Sequence, residues 1–186
     1  IPLRTTDFMV LCLFSVGITK GKWGTLINTL LNFKESYDRN EPLETMLPDL
    51  VKSAPARYGS MGVKDLCDQM FSRMKTSAMD KAQSAAFGNL PTPVMPPRAA
   101  NSKLMSGDVE LLPLEAMPGR TIAVGAIPYP PGIPILMPGE NIGPADGPWL
   151  TFLRSMEEWG QEFPGFEKIV EGAVVENGKY HFWCVK

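Results

Sequence analysis

Residues 127–140 read Ile-Pro-Tyr-Pro-Pro-Gly-Ile-Pro-Ile-Leu-Met-Pro-Gly-Glu, five prolines and two glycines among apolar, strand-forming residues. Each proline fixes φ and removes a backbone donor, so no central strand can run through this stretch. Ile133, Ile135, Leu136 and Met137 still favour burial. The pattern predicts two short edge-type strands folded about Pro130-Pro131-Gly132, ending at a turn that presents Glu140.

The remainder of the chain has to supply what this segment packs against. With 186 residues and 44% hydrophobic content, there is material for one ordinary core, or one core and a piece of another. Eighteen basic and 20 acidic residues are mixed along the length for a net charge of −2, which leaves no footprint for nucleic acid or an anionic membrane. The longest apolar run, residues 8–16, is too short for a bilayer and is interrupted by Ser15, so neither a membrane span nor a secretory leader is expected. Cys12, Cys67 and Cys184 are odd in number and widely spaced, and His181 is the sole histidine. That argues against a metal site or a disulfide framework, and buried cysteines acting as small hydrophobes suit a cytoplasmic location.

Residues 8–14 form an unbroken apolar run, the pattern of a strand buried on both faces of an α/β layer. After Gly17, Thr19 is placed to cap a helix reaching about Arg39, with Trp23, Leu26, Ile27, Leu30 and Tyr37 at helical spacing. One strand and one helix do not make a domain, because the strand edges and second face need partners. Residues 1–44 therefore read as the end of an incomplete α/β domain, and Ile1 as a start within something longer. Pro42 and Pro48 mark a joint.

Beyond it, Val63, Leu66, Cys67, Met70, Phe71 and Met74 predict a helix with one apolar stripe, and further helices are expected over 79–87 and 97–106. Strands are expected at 109–114, 121–127 and 133–137, then a helix from Pro148 to Phe163 carrying Trp149, Phe152, Leu153, Met156 and Trp159 on one face. Asn177-Gly178, between Ala173-Val-Val175 and the run 180–185, is a type I′ hairpin signal.

Recognisable catalytic chemistry is sparse. His181 sits in a hairpin strand without an acidic neighbour in sequence, so a nucleophilic triad is not indicated. The stretch Gly17-Ile-Thr-Lys-Gly-Lys-Trp23 lacks one residue of a phosphate loop and has Trp23 where Ser or Thr is needed, which makes it the start of a helix instead. Glu157, Glu158 and Glu162 read as the solvent side of their helix. Asp7 lies at the mouth of the first strand with Arg4 three residues before it, where ligand-contacting side chains gather in α/β layers. Glu140 is a turn residue that becomes a site residue if its turn borders a cleft.

Tyr129-Pro-Pro-Gly-Ile-Pro134, Met137-Pro-Gly-Glu140 and Phe163-Pro-Gly-Phe166, with Leu13-Phe-Ser-Val-Gly17, Met46-Leu-Pro48 and Gly119-Arg120 in the same order, resemble the C-terminal part of the bacterial ornithine/lysine/arginine decarboxylases. The resemblance covers essentially the whole chain. Arg4-Thr-Thr-Asp-Phe8, Thr19-Lys-Gly-Lys-Trp-Gly-Thr25 and Trp183-Cys-Val-Lys186 are most similar to the acid-inducible, arginine-acting branch. It implies an α+β fold: helices packed on a small, mostly antiparallel sheet over 45–186, preceded over 1–44 by the last strand and helix of an aminotransferase-like small domain.

The resemblance further implies decarboxylation of arginine to agmatine and CO2 in acid resistance, with pyridoxal 5'-phosphate as cofactor. Homodimers assembling into a larger ring, an amino-acid substrate and the rest of the decarboxylase chain are the implied partners. The family's cofactor lysine follows a histidine, and no His-Lys pair occurs here, so no catalytic or cofactor-binding residue is expected in this chain and the fragment alone should be inactive. Asp7, Arg4 and Glu140 are the substrate-recognition candidates. A non-catalytic scaffold, oligomerisation or regulatory module, or the same domain of a lysine or ornithine decarboxylase, is the alternative.

Overall fold

Thr19, extended at φ −100° and ψ 162°, ends the turn after Gly17 and opens helix α1 (Lys20–Asp38), so the Gly17-to-Trp23 stretch does start a helix. The computed structural model describes residues 4–5, 9–129 and 131–186. Packing divides the chain into two units, Ile1–Lys75 and Thr76–Lys186.

In the first unit, β1 (Arg4–Thr5) and β2 (Val10–Leu11) pair antiparallel, with Arg4 opposite Leu11. Among the described residues of the run expected to be a strand buried on both faces, only Val10 and Leu11 are strand, and Met9, Val10 and Leu13 are 67%, 67% and 68% exposed. The reason is physical: α1 flanks one side of the run, and no second layer covers it among the described residues. Trp23, Ile27 and Leu30 on α1 are likewise about half exposed.

α1 stops where Asn40 turns left-handed at φ 49°, a conformation Asn tolerates better than most residues. Three short helices follow: α2 (Leu43–Met46), α3 (Pro48–Ser53) and α4 (Pro55–Tyr58). Pro48 and Pro55 sit in first turns, where a missing N–H leaves nothing unpaired. α5 (Val63–Thr76) keeps part of its predicted stripe: Val63 and Leu66 are buried with Leu43 and Tyr58, whereas Phe71 is exposed.

The second unit begins with α6 (Met79–Gly88), β3 (Thr92–Pro93) and α7 (Pro97–Ser106). Gly107 at φ 76° closes α7, and the Asp108 amide donates back to the Lys103 carbonyl at 2.9 Å. β4 (Val109–Pro113) runs into a 3₁₀ turn at Leu114–Ala116. Farther on lie β5 (Ile127–Tyr129), β6 (Glu140–Asn141), α8 (Pro148–Glu162), β7 (Ile169–Glu171), β8 (Val174–Glu176) and β9 (Lys179–Val185).

β9 is the middle strand of an antiparallel sheet ordered β4-β9-β8. Its alternate residues Tyr180, Phe182 and Cys184 are buried in a core with Trp149, Leu150, Phe152, Leu153 and Met156 of α8. Full burial of a side chain such as Phe182 contributes about 1.5–3 kcal/mol. Phe87 of α6 meets Phe152 edge-on at 6.1 Å. Asn177 and Gly178 have φ of 51° and 74°, both positive as a type I′ turn requires, and the predicted hairpin is present.

The proline-rich segment departs from expectation. β5 pairs with β7 rather than with 133–137, and β6 pairs with β3. Predicted strands at 121–127 and 133–137 shrink, outside β5, to the single bridges Thr121–Asn141, Ile122–Cys184 and Ala126–Leu136. Without the proline N–H groups no longer ladder forms, and single bonds such as Ala126 N to Leu136 O at 3.0 Å hold the loop. Ile135 and Leu136 reach the core, while Ile133 and Met137 stay exposed. The architecture is α+β with small antiparallel sheets.

Candidate functional site

The turn at Glu140 is built from three sides. Gly139 has φ 92°, and its carbonyl accepts both the Val94 and Met95 amides at 2.9 and 3.1 Å. A Cβ at Gly139 would lie 2.2 Å from the Met95 carbonyl oxygen, so only glycine fits. Glu140 Oε2 accepts the Met137 amide at 2.7 Å, tying the carboxylate to its own turn. Of the other two sequence candidates, Arg4 is placed by its backbone opposite Leu11, and Asp7 lies outside the described residues.

In the first unit, a groove of about 370 Å³ lies between the β2 segment and α1, walled by Val10, Leu13, Phe14, Ile18, Leu26 and Leu30. Thr25 and Thr29 open onto it, but their hydroxyls donate to the carbonyls of Gly21 and Thr25. The groove is therefore apolar in character.

The second unit holds a cavity of about 300 Å³ between the last turns of α8, the 164–168 loop and the β8–β9 hairpin. Glu157 lines it. This residue was expected on the solvent side of α8 but is only 8% exposed, and its Oε2 accepts the Tyr180 amide at 2.6 Å. Glu158 and Glu162 are exposed as expected. Glu157 stands four residues after the buried Leu153, on the flank of the apolar arc, and that spacing was the available signal.

The Lys168 ammonium lies 5.0 Å from the centre of the Trp159 ring, and burial lowers its pKa to about 8. The Trp159 Nε1 donates to the Phe166 carbonyl at 2.9 Å and the Tyr180 hydroxyl to the Lys168 carbonyl at 2.6 Å, which together fix the loop. Burial, reinforced by Glu157 and Glu167, raises the Tyr180 hydroxyl well above its ordinary value and keeps it a neutral donor. Cys184 is buried, which pushes its thiol up to about 11; Cys12 and Cys67 are half-buried. His181 Nδ1 lies 3.3 Å from the Lys179 carbonyl, and no His, Cys, Asp or Glu grouping suited to a metal occurs among the described residues.

Helices on small antiparallel sheets, a proline-rich loop pinned at Gly139 and a C-terminal hairpin define a decarboxylase C-terminal domain, and residues 66–186 match the family described as Orn/Lys/Arg decarboxylase, C-terminal domain. The chain belongs to that family. It is 46% identical to the biodegradative arginine decarboxylase of Escherichia coli K12, over 100% of this chain and 25% of that protein. It is 40% identical to a lysine decarboxylase of Pseudomonas aeruginosa, over 98% of this chain and 25% of the relative. The structure of the E. coli constitutive lysine decarboxylase superposes with a TM-score of 0.90 at 36% identity, over 100% of this chain and 26% of that one. The chain thus spans about a quarter of the length of these relatives.

Proposed function

We propose that this chain is the C-terminal part of a pyridoxal-phosphate-dependent decarboxylase that converts arginine to agmatine and CO2, working in the cytoplasm in acid resistance. The observation that carries the substrate is the identity along the entire chain, 46% to an arginine enzyme against 40% to a lysine enzyme. The Arg4-Thr-Thr-Asp-Phe8 run, similar to the arginine-acting branch, supports it.

Pyridoxal phosphate supplies an electron sink for the carbanion left by lost CO2. Lys168, the lysine that burial holds low, shares its cavity with the carboxylates of Glu157 and Glu167, which repel a phosphate dianion. We place the cofactor's lysine and phosphate-binding groups in the longer protein outside this chain, in keeping with the missing His-Lys pair.

Residues 1–44 then close the small aminotransferase-like domain, and 45–186 form the family's C-terminal domain. The half-exposed apolar residues Met9, Val10, Trp23 and Leu30 favour packing against the remainder of the decarboxylase, within a homodimer that builds a larger ring. Asp7 is assigned to the substrate guanidinium, with Arg4 as its structural partner and Glu140 shaping a wall of the site.

The test is decarboxylation by the full-length, cofactor-loaded enzyme. Arginine should give the highest kcat/KM of arginine, lysine and ornithine, and Asp7→Asn should lower it by about 10- to 150-fold, the equivalent of about 1.5–3 kcal/mol for a charge-assisted hydrogen bond. Equal or faster turnover of lysine overturns the substrate, and an unchanged Asp7→Asn enzyme overturns the residue.

A further inference from the structure

We propose that Asn177, at the tip of the β8–β9 hairpin, is a modification site of the native protein, where the side-chain amide is lost through a cyclic imide to leave isoaspartate and aspartate. It is the one asparagine of the sequence that precedes a glycine. The dipeptide serves the hairpin, since both residues take positive φ, 51° and 74°, as a type I′ turn requires. The same two residues set an electrophilic carboxamide next to an unhindered backbone nitrogen.

The reaction needs the Gly178 nitrogen to reach Asn177 Cγ. Both residues are exposed, and neither the Gly178 amide nor the Asn177 side chain has a hydrogen-bond partner among the described residues. Around Gly178, a Cβ would meet only the flexible Gln161 side chain, at 3.7 Å. Glu176–Lys179 is the last pair of the ladder, so opening the tip breaks a single pair. The other asparagines are held. Asn28, Asn32 and Asn101 lie inside α1 and α7, where helical bonds occupy the following amide. The side chains of Asn40, Asn89 and Asn141 are tied to Asp65, the Ala85 carbonyl and the Gly119 carbonyl at 2.9, 2.8 and 2.8 Å.

Loss of its proton to hydroxide lets the Gly178 nitrogen attack Cγ; the N–Cγ bond forms, the Cγ–Nδ2 bond breaks and ammonia leaves. Water then opens the imide. Addition at Cγ gives aspartate, and addition at the Asn177 main-chain carbonyl carbon gives isoaspartate, with the chain now running through Cβ and Cγ. Either product adds a carboxylate beside Glu176, on a rim that also carries Glu157 and Glu167, while Lys179 is already paired with Glu115 at 2.9 Å. Isoaspartate also lengthens the turn that sets the register of Val175 opposite Tyr180, whose buried amide Glu157 holds at 2.6 Å. The hairpin should therefore loosen as the protein ages.

The test ages the full-length protein in mildly alkaline buffer without denaturant. Mass spectrometry follows every asparagine, and an isoaspartyl carboxyl methyltransferase is the probe for isoaspartate. The tryptic peptide 169–179 should gain the acid form several-fold faster than the peptides holding Asn40, Asn101 or Asn141, faster still as the pH is raised, and should take the methyl label. In the aged fraction the Tyr180 amide should exchange faster than in fresh protein. Asn177→Gln, whose longer side chain closes a ring far more slowly, should remove the gain. Equal or faster gain at another asparagine, gain at Asn177 only once the protein is unfolded, or an acid form there that the methyltransferase never labels would overturn the proposal. The parent protein alone gives that answer, whatever Asn177→Gln does to the turn.

Discussion

Asn40 caps a helix that begins more than twenty residues after it, and Asp65 is its partner. The Asn40 Oδ1 accepts the amides of Lys64 and Asp65 at 3.0 and 3.2 Å, while its Nδ2 donates to Asp65 Oδ2 at 2.9 Å. Asp65 Oδ2 also accepts the Gly62 amide at 3.0 Å. The free N–H groups at the start of α5 are thus satisfied from the end of α1. Asn40→Ala should cost about 1 kcal/mol of stability, measured by urea denaturation.

The same pair sets a pH response. The hydrogen bond from Asn40, and then that from Gly62, hold the Asp65 carboxyl below its ordinary value. A carboxyl that is lowered on folding contributes stability above its unfolded pKa, near about 4, and loses it as the pH falls through the folded value. The Asn40→Ala protein should lose less stability than the parent between about pH 5 and 2, because the parent has this contribution to lose. Equal acid sensitivity would contradict the assignment.

Gly139 and Gly119 make a matched pair. Both have positive φ, 92° and 75°, but a Cβ at Gly119 meets nothing within 4 Å and one at Gly139 meets the Met95 carbonyl at 2.2 Å. Gly119→Ala should cost about 1 kcal/mol from backbone strain alone. Gly139→Ala should cost on the order of 3 kcal/mol or more, because the backbone of the 92–95 segment has to move. Thermal denaturation of the two variants, side by side, checks the difference.

Removing the Glu157 side chain strips the Tyr180 amide of its acceptor in a buried setting. Glu157→Ala should destabilise by about 1–3 kcal/mol, and Glu157→Gln by less, since an amide oxygen can still accept. The Tyr180 amide itself should exchange faster in Glu157→Ala than in Glu157→Gln.

Alkylation should sort the cysteines. With its thiol pushed up to about 11 by burial, Cys184 should be inert to iodoacetamide at pH 8 in the folded protein and react only after denaturation, while Cys12 and Cys67, half-buried, should label first.

How much of this was legible in the sequence depended on how local the determinant was. α7 was readable residue by residue, because Pro97 and Gly107 punctuate it from within. The same holds for the hairpin at Asn177-Gly178, whose turn chemistry is contained in two residues. The proline-rich segment was half legible: missing donors forbid a long strand, but nothing in 127–140 names residues 169–171 or 92–93 as the partners. The exposure of Met9 and Leu13 could not be read either, because apolar character says that a surface wants cover and not whether a layer is there.

The cavity shows the same limit within one helix. Counting the stripe of α8 placed Trp149, Phe152, Leu153, Met156 and Trp159 correctly inside, yet it put Glu157 outside with the acidic residues that alternate with the apolar face. Its burial is decided by the Tyr180 amide on a strand more than twenty residues later. Lys168 is similar, since its depressed pKa comes from the loop folding it onto Trp159. Asp7, the strongest candidate by position in the sequence, lies outside the described residues.

The central position of β9 has a consequence for the order in which this unit is assembled. Val109 is partnered by Val185 and Val174 by His181, and the bridge from Ile122 also ends on Cys184, so three separate stretches wait for one strand. During synthesis β4 is made long before its partner, and its apolar residues have to remain unpaired until residues 179–185 arrive. A nascent chain halted before that strand would carry an open sheet edge and half a core, which makes such an intermediate a natural client for chaperones.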